Sequence, residues 1–182
     1  MNNIYDKNFF RMMLREELKE WIKNNYTNLI GSAIFTKNNS LTSKIVSWAE
    51  CWGKKKNKFI PSHTGSIIEV NKELYIFDMK PPKASMQPLF NYLYASRDEF
   101  ILILRNFDIN TYTFNNFLLF HVGEVYPYLS AIRSVFTKRQ TKWKNHCSEL
   151  HARLLDLCGC KFPDNFNFEC TPLELLDFLK TK

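Results

Sequence analysis

Lys144-Asn145-His146-Cys147-Ser148-Glu149-Leu150 sets a cysteine directly ahead of an apolar-periodic run, Leu150, Leu154, Leu155 and Leu157. That spacing predicts a buried helix with Cys147 at its start. A cysteine there meets the positive end of the helix macrodipole and backbone N–H groups that lack intrahelical partners. Both favour thiolate over thiol, and the thiolate is the nucleophile. The same N–H groups suit the oxyanion of an acyl-transfer intermediate. Upstream, Pro61-Ser62-His63-Thr64-Gly65 leads into the strand-like Ser66-Ile67-Ile68-Glu69-Val70. A strand histidine facing a helix-start cysteine is the minimum equipment for nucleophilic thiol chemistry.

A cysteine beside a Leu-rich helix is also an ordinary core residue, because free Cys is among the most buried residue types. Other motifs give Cys147 a context. Leu29-Ile30-Gly31-Ser32-Ala33-Ile34-Phe35 reads as a short apolar strand, and Asn39 to Val46 as a Ser-containing helix start. Leu74-Tyr75-Ile76-Phe77-Asp78-Met79 is an apolar strand whose acid is Asp78, followed by Met86-Gln87-Pro88-Leu89. Gly123-Glu124-Val125-Tyr126-Pro127-Tyr128-Leu129 is a tyrosine-bearing segment. Thr171-Pro172-Leu173-Glu174-Leu175 opens a last helix.

In this order the motifs resemble the permuted papain-like cysteine hydrolases, the YiiX/YebB-like branch of the NlpC-type superfamily. Ser62-His63-Thr64-Gly65 and Cys147-Ser148-Glu149-Leu150 are the most specific matches, and the similarity runs from Leu29 to the C-terminus. Two departures stand out. Ser32 occupies the place of a usual Asp and reads as a structural cap, and Asp78 stands where the group more often carries Glu. The resemblance implies an α+β, circularly permuted papain-like fold. Its central antiparallel sheet would pack against a helix with the nucleophile at its N-terminus. Residues 1–182 would form one domain, with 1–28 a helical extension and 29–182 the hydrolase core.

The implied roles follow. Cys147 is the nucleophile and His63 the general base, work that suits an imidazole near neutral pH. Asp78 would accept the other ring N–H of His63 and fix its tautomer. Glu69 is the alternative third member, since period-2 alternation puts His63, Gly65, Ile67 and Glu69 on one strand face. Tyr126, Ser148 and Gly65 would line the substrate groove, with Gly65 allowing backbone or substrate to approach closely. His121-Val122-Gly123 mimics the histidine motif, but its apolar flank Phe117-Leu118-Leu119-Phe120 marks a satisfied core histidine. His146, His151, Cys158 and Cys160 lack the paired spacing of structural zinc sites, so no metal is expected. No phosphate loop or dinucleotide fingerprint is present, and no cofactor is expected.

The chain has 182 residues, 45% hydrophobic and 15% aromatic, enough for a sizeable core. Its formal net charge is +7. Lys54-Lys55-Lys56-Asn57-Lys58 precedes His63, and Lys138 to Lys144 precedes Cys147. If the catalytic pair meets, both runs rim one groove and favour an anionic peptide, peptidoglycan-type or lipid substrate. The opposing explanation is coding bias, since Lys, Asn, Ile, Phe and Tyr are all abundant. Five cysteines, an odd number, and no secretory start point to reduced thiols and a cytoplasmic protein. No apolar run approaches the about 20 residues of a membrane span.

Elsewhere, Asp6 caps an expected helix with Phe10, Met13, Leu14, Leu18, Trp21 and Ile22 on one face, packed on the core. Ser40 caps another. Strands around 66–70 and 74–78 join through Asn71-Lys72-Glu73. Phe100 to Arg105 reads as a buried strand. Phe117 to Val122 is open between strand and helix, and Tyr128 to Phe136 reads as helix. Thr171, Pro172 and Glu174 supply an N-cap, a first-turn Pro and a capping-box Glu.

The expected function is hydrolysis or transfer at an amide or ester through an acyl-enzyme on Cys147. The rival classes are a non-catalytic binding protein on the same scaffold and a basic nucleic-acid-binding module. The latter would use the Lys runs with Trp52, Phe59 and Trp143 as stacking groups.

Overall fold

The computed structural model describes residues 4–37, 59–79, 82–125, 147–168 and 170–181. The helix expected from Ser40, the Tyr128–Phe136 helix, Tyr126 and both Lys runs lie outside these residues. The described chain is α+β, with six antiparallel strands and seven helices. In chain order these are β1 (Ile4–Asp6), α1 (Lys7–Arg11), α2 (Arg15–Asn24), α3 (Tyr26–Leu29), β2 (Ala33–Lys37), β3 (His63–Val70), β4 (Glu73–Asp78) and β5 (Ser85–Pro88). Then come α4 (Leu89–Ala95), β6 (Glu99–Ile103), α5 (Thr111–Phe120), α6 (Cys147–Leu157) and α7 (Pro172–Leu179). The strand order across the sheet is β1-β6-β2-β3-β4-β5.

Both faces of the sheet are covered, which is why its central strands read as continuous apolar runs rather than alternating ones. Ala33, Phe35, Ile68, Phe77 and Ile103 face one core, against Phe114 and Leu118 of α5, Leu150 and Leu154 of α6, and Leu173 and Leu176 of α7. Ile34, Ile67, Ile76 and Leu102 face the other, against Phe10 of α1, Leu18 of α2, and Leu89 and Leu93 of α4. Successive residues therefore enter opposite cores, as the pleat requires.

Local chemistry explains several elements. The β3–β4 turn places Asn71 and Lys72 at positive φ, 52° and 65°. Two such residues match the right-handed twist of a tight hairpin. Thr171 accepts from the Glu174 N–H while the Glu174 carboxylate accepts from the Thr171 N–H, so α7 begins with the expected reciprocal cap. Phe117–Phe120 is the end of α5, which resolves the open segment as helix.

The N-terminal expectation is corrected. Asp6 does cap a helix, accepting from Phe9 N–H at 3.0 Å. The apolar-periodic stretch nevertheless breaks at Met12–Leu14, and α2 restarts with the Glu17 carboxylate accepting from Leu14 N–H at 2.7 Å. Met12 and Leu14 are exposed, while Phe10 and Leu18 are fully buried. Two short helices let both buried side chains enter the core at the angles the sheet demands. The first residues are also more than a helical extension, because β1 pairs with β6 at one edge of the sheet.

Ser32 behaves as a structural linchpin. Its hydroxyl donates to the Asn28 carbonyl at 2.6 Å and accepts from the Arg105 N–H at 2.9 Å. The buried Arg105 guanidinium in turn donates to the carbonyls of Ile30, Thr27 and Phe107. These bonds satisfy backbone acceptors of α3, of the residue after it and of the segment after β6.

Candidate active site

Cys147 is the first residue of α6, and α6 packs on β3. His63 is the first residue of β3. Their side chains meet through a hydrogen bond between the thiol and the imidazole. The other side of the ring is held by Asp78, with His63 Nε2 to Asp78 Oδ1 at 2.7 Å. Nδ1 is thus the ring nitrogen left to face the sulfur. All three groups are nearly enclosed: Cys147 is 7% exposed, His63 8% and Asp78 3%.

Register explains how a strand histidine reaches an acid on the neighbouring strand. Asp78 is directly opposite Gly65, and His63 lies two residues along β3 on the same face. Asp78 therefore reaches its partner diagonally, over Gly65. A Cβ at Gly65 would lie 3.1 Å from Asp78 Oδ1 and 3.0 Å from Ile76 Cγ2. The glycine is the gap the carboxylate crosses. What approaches Gly65 is thus a side chain of the site itself, which corrects its expected place in a groove. Gln87, on β5, donates from Nε2 to Asp78 Oδ2 at 3.4 Å and steadies the second oxygen.

The same register places the sulfur. β4 ends at Asp78, opposite Gly65, so Thr64 lies one residue beyond that ladder. Its backbone N–H donates to the Cys147 sulfur instead, as does the backbone N–H of Ser148 in the first turn of α6. Burial resists charge on Cys147, but the imidazole and these two N–H donors outweigh it and hold the thiol below its ordinary pKa. Burial likewise resists charge on His63. The neighbouring sulfur and Asp78 outweigh it and raise the imidazole above its usual value. The pair favours thiolate and imidazolium.

Other thiols move the opposite way. Burial raises Cys158, and burial with the Glu174 charge pushes Cys170 up to about 12. Sitting in the same fold is thus insufficient for activation; the imidazole and the two backbone donors make the difference.

The remaining expected residues fall elsewhere. Glu69 does share the His63 face, but six residues along a strand amount to about 20 Å. It lies beside the Tyr26 hydroxyl, its backbone N–H donating to Asn115 Oδ1 at 3.1 Å. The alternative third member is therefore remote from His63. The Ser148 hydroxyl is buried and donates to the Cys170 carbonyl at 2.6 Å, so Ser148 offers the site its backbone and not a groove-lining side chain. His121 caps the C-terminus of α5, partly exposed and 2.8 Å from Glu124, rather than sitting in the core. His151, one turn beyond Cys147, bonds through Nδ1 to Ser66 Oγ at 2.6 Å. Its burial drives the imidazole pKa down to about 3, which keeps it neutral. Among the described residues no three His, Cys, Asp or Glu side chains cluster as metal ligands.

Sequence reasoning passed over Thr64 and Gln87. Thr64 is the variable position inside the histidine motif, and its importance comes from where β4 stops. No protein-family model and no curated protein matches this chain.

Proposed function

We propose that the protein is a thiol-dependent hydrolase or acyltransferase, with Cys147 as nucleophile, His63 as general base and Asp78 as the orienting acid. The observation that carries this reading is the continuous chain from Asp78 through His63 to a sulfur at a helix N-terminus. The thiolate would attack an amide or ester carbonyl to form a tetrahedral oxyanion. The backbone N–H groups at the start of α6 suit that oxyanion. The His63 imidazolium would donate its proton to the leaving amine or alcohol, giving a thioester on Cys147. Neutral His63 would then take a proton from water as it attacks the thioester, releasing the acid and restoring the thiolate–imidazolium pair. Asp78 keeps the imidazole in the productive tautomer throughout.

The permuted papain-like architecture belongs to the same proposal, supported by the order of the histidine strand, acidic strand and cysteine helix around one antiparallel sheet. No helix among the described residues is long and apolar enough to cross a membrane. Cys147, Cys158 and Cys170 carry free thiols, which suits a reducing cytoplasmic setting. The substrate class is an anionic peptide, peptidoglycan-type or lipid acyl group, a reading that rests on the +7 charge.

A thiol-reactive acyl probe tests the proposal. Intact-mass analysis should show one adduct, mapped to Cys147, formed at least tenfold faster in the wild type than in His63→Ala. Equal rates in the two proteins, or labelling spread over all cysteines, would refute it.

A further inference from the structure

Thr64 is 2% exposed, and its Oγ1 has no hydrogen-bond partner among the described residues. A buried hydroxyl left unpaired carries its desolvation cost with nothing to offset it. Valine has the same shape and avoids that cost, so packing alone gives no reason for threonine here. Position gives one. The backbone N–H of Thr64 already donates to the Cys147 sulfur. Alternation directs the Thr64 side chain, like those of Ser66 and Ile68, to the sheet face on which α6 packs. The unpaired hydroxyl thus projects to the α6 side of β3, from the same residue whose backbone N–H donates to the sulfur.

We propose that the Thr64 hydroxyl is a further donor for the Cys147 thiolate, beside the imidazolium and the two backbone N–H groups, engaged when the sulfur is charged. A thiolate has more capacity to accept than a thiol, and the imidazolium with two backbone N–H groups does not exhaust it. Rotation about χ1 is the motion by which the hydroxyl would offer its hydrogen. Thr64 then acts on the nucleophile directly, from the residue next to the general base. This inference deepens the hydrolase reading, but it concerns the ionisation of the sulfur and is measurable without any substrate.

The experiment titrates Cys147 by its iodoacetamide labelling rate across pH, in the wild type, Thr64→Val and Thr64→Ser. A hydrogen bond to a charged group corresponds to about tenfold in ionisation. Thr64→Val should therefore hold about tenfold less thiolate at a pH below the midpoint, with the midpoint moved upward. Thr64→Ser, which keeps the hydroxyl, should follow the wild type. Thermal melting of Thr64→Val should stay level or rise, because an unpaired hydroxyl has been removed. A valine variant that titrates with the wild type overturns the inference. So does an equal shift in the serine variant, which would trace the effect to packing. A marked fall in melting temperature for valine alone would show the hydroxyl already satisfied in the resting fold, and would overturn it as well. Failure of the hydrolase reading is seen separately, in an acyl probe that does not distinguish wild type from His63→Ala.

Discussion

The Asp78 carboxylate lies 2.7 Å from His63 Nε2 although the two residues are not ladder partners. The bond is diagonal and crosses a position with no side chain. That relationship makes Gly65 a determinant of the site rather than a passive strand residue. Gly65→Ala should therefore displace Asp78 from His63. We expect overpacking to cost about 1–3 kcal/mol of stability. Iodoacetamide labelling of Cys147 at mildly acidic pH should slow by about tenfold, by the worth of one charge-assisted bond. Denaturant melts and labelling rates on the same sample check both. Unchanged labelling would show that the Asp78–His63 bond does not support the thiolate.

The opposed shifts of Cys147 and His63 predict a plateau of reactivity. The Cys147 pKa is lowered, so thiolate appears below the free value of about 8.5 as pH rises. The His63 pKa is raised, so imidazolium persists above 6.5. Acyl-probe labelling should be high between these limbs, falling at low pH as the thiolate protonates and at high pH as the imidazolium is lost. His63→Ala should move the acid limb upward toward the free thiol. A single limb near 8.5 in the wild type would contradict the ion pair.

His151 makes a separate prediction about acid stability. Its folded pKa is depressed to about 3, against 6.5 when unfolded. Between those values the unfolded chain binds the proton and the folded chain does not. Its contribution is complete above pH 6.5 and is lost as pH falls toward 3, at no more than about 1.4 kcal/mol per pH unit. His63 adds no slope below about pH 5.5, where it is protonated in both states, whereas nearer 6.5 its raised pKa opposes the His151 effect. Urea denaturation at pH 7, 5.5 and 4 should show the decline. The Ser66→Ala, His151→Leu double variant, which removes both members of the buried pair, should flatten it.

Ser148 is expected to matter for folding and not for the sulfur. Its hydroxyl donates to the Cys170 carbonyl within the core. Ser148→Ala leaves that carbonyl unpaired at a cost of about 1–3 kcal/mol. The backbone N–H that faces Cys147 is retained, so the labelling profile across pH should match the wild type. A shifted profile would return the Ser148 side chain to the site.

Where chemistry is local, the sequence was readable. Thr171, Pro172 and Glu174 declare the start of α7, and the apolar period after Cys147 declares α6. The β3–β4 hairpin shows in two strand-like runs joined by a short polar turn. Each depends on neighbours within about one turn, which a linear reading contains. The run from Phe100 to Arg105 was legible as a buried strand, of which β6 takes Phe100 to Ile103, although its two-sided burial comes from helices far apart in the chain.

Tertiary structure decided the rest. Ile4-Tyr5-Asp6 is too short to announce a strand and becomes one only by pairing with β6. The helix after Asp6 breaks because Phe10 and Leu18 must both enter the core, a demand invisible to periodicity. Alternation placed Glu69 and His63 on one face, but it carries no distance. The choice of Asp78 needed the register that sets it opposite Gly65. The role of Thr64 needed the end of β4, which frees its N–H for the sulfur. Sequence alone nominated the side chains of the candidate site, because residue type and local spacing are linear properties. Which of them touch was decided by strand register and helix packing, which arise only when distant segments share a core.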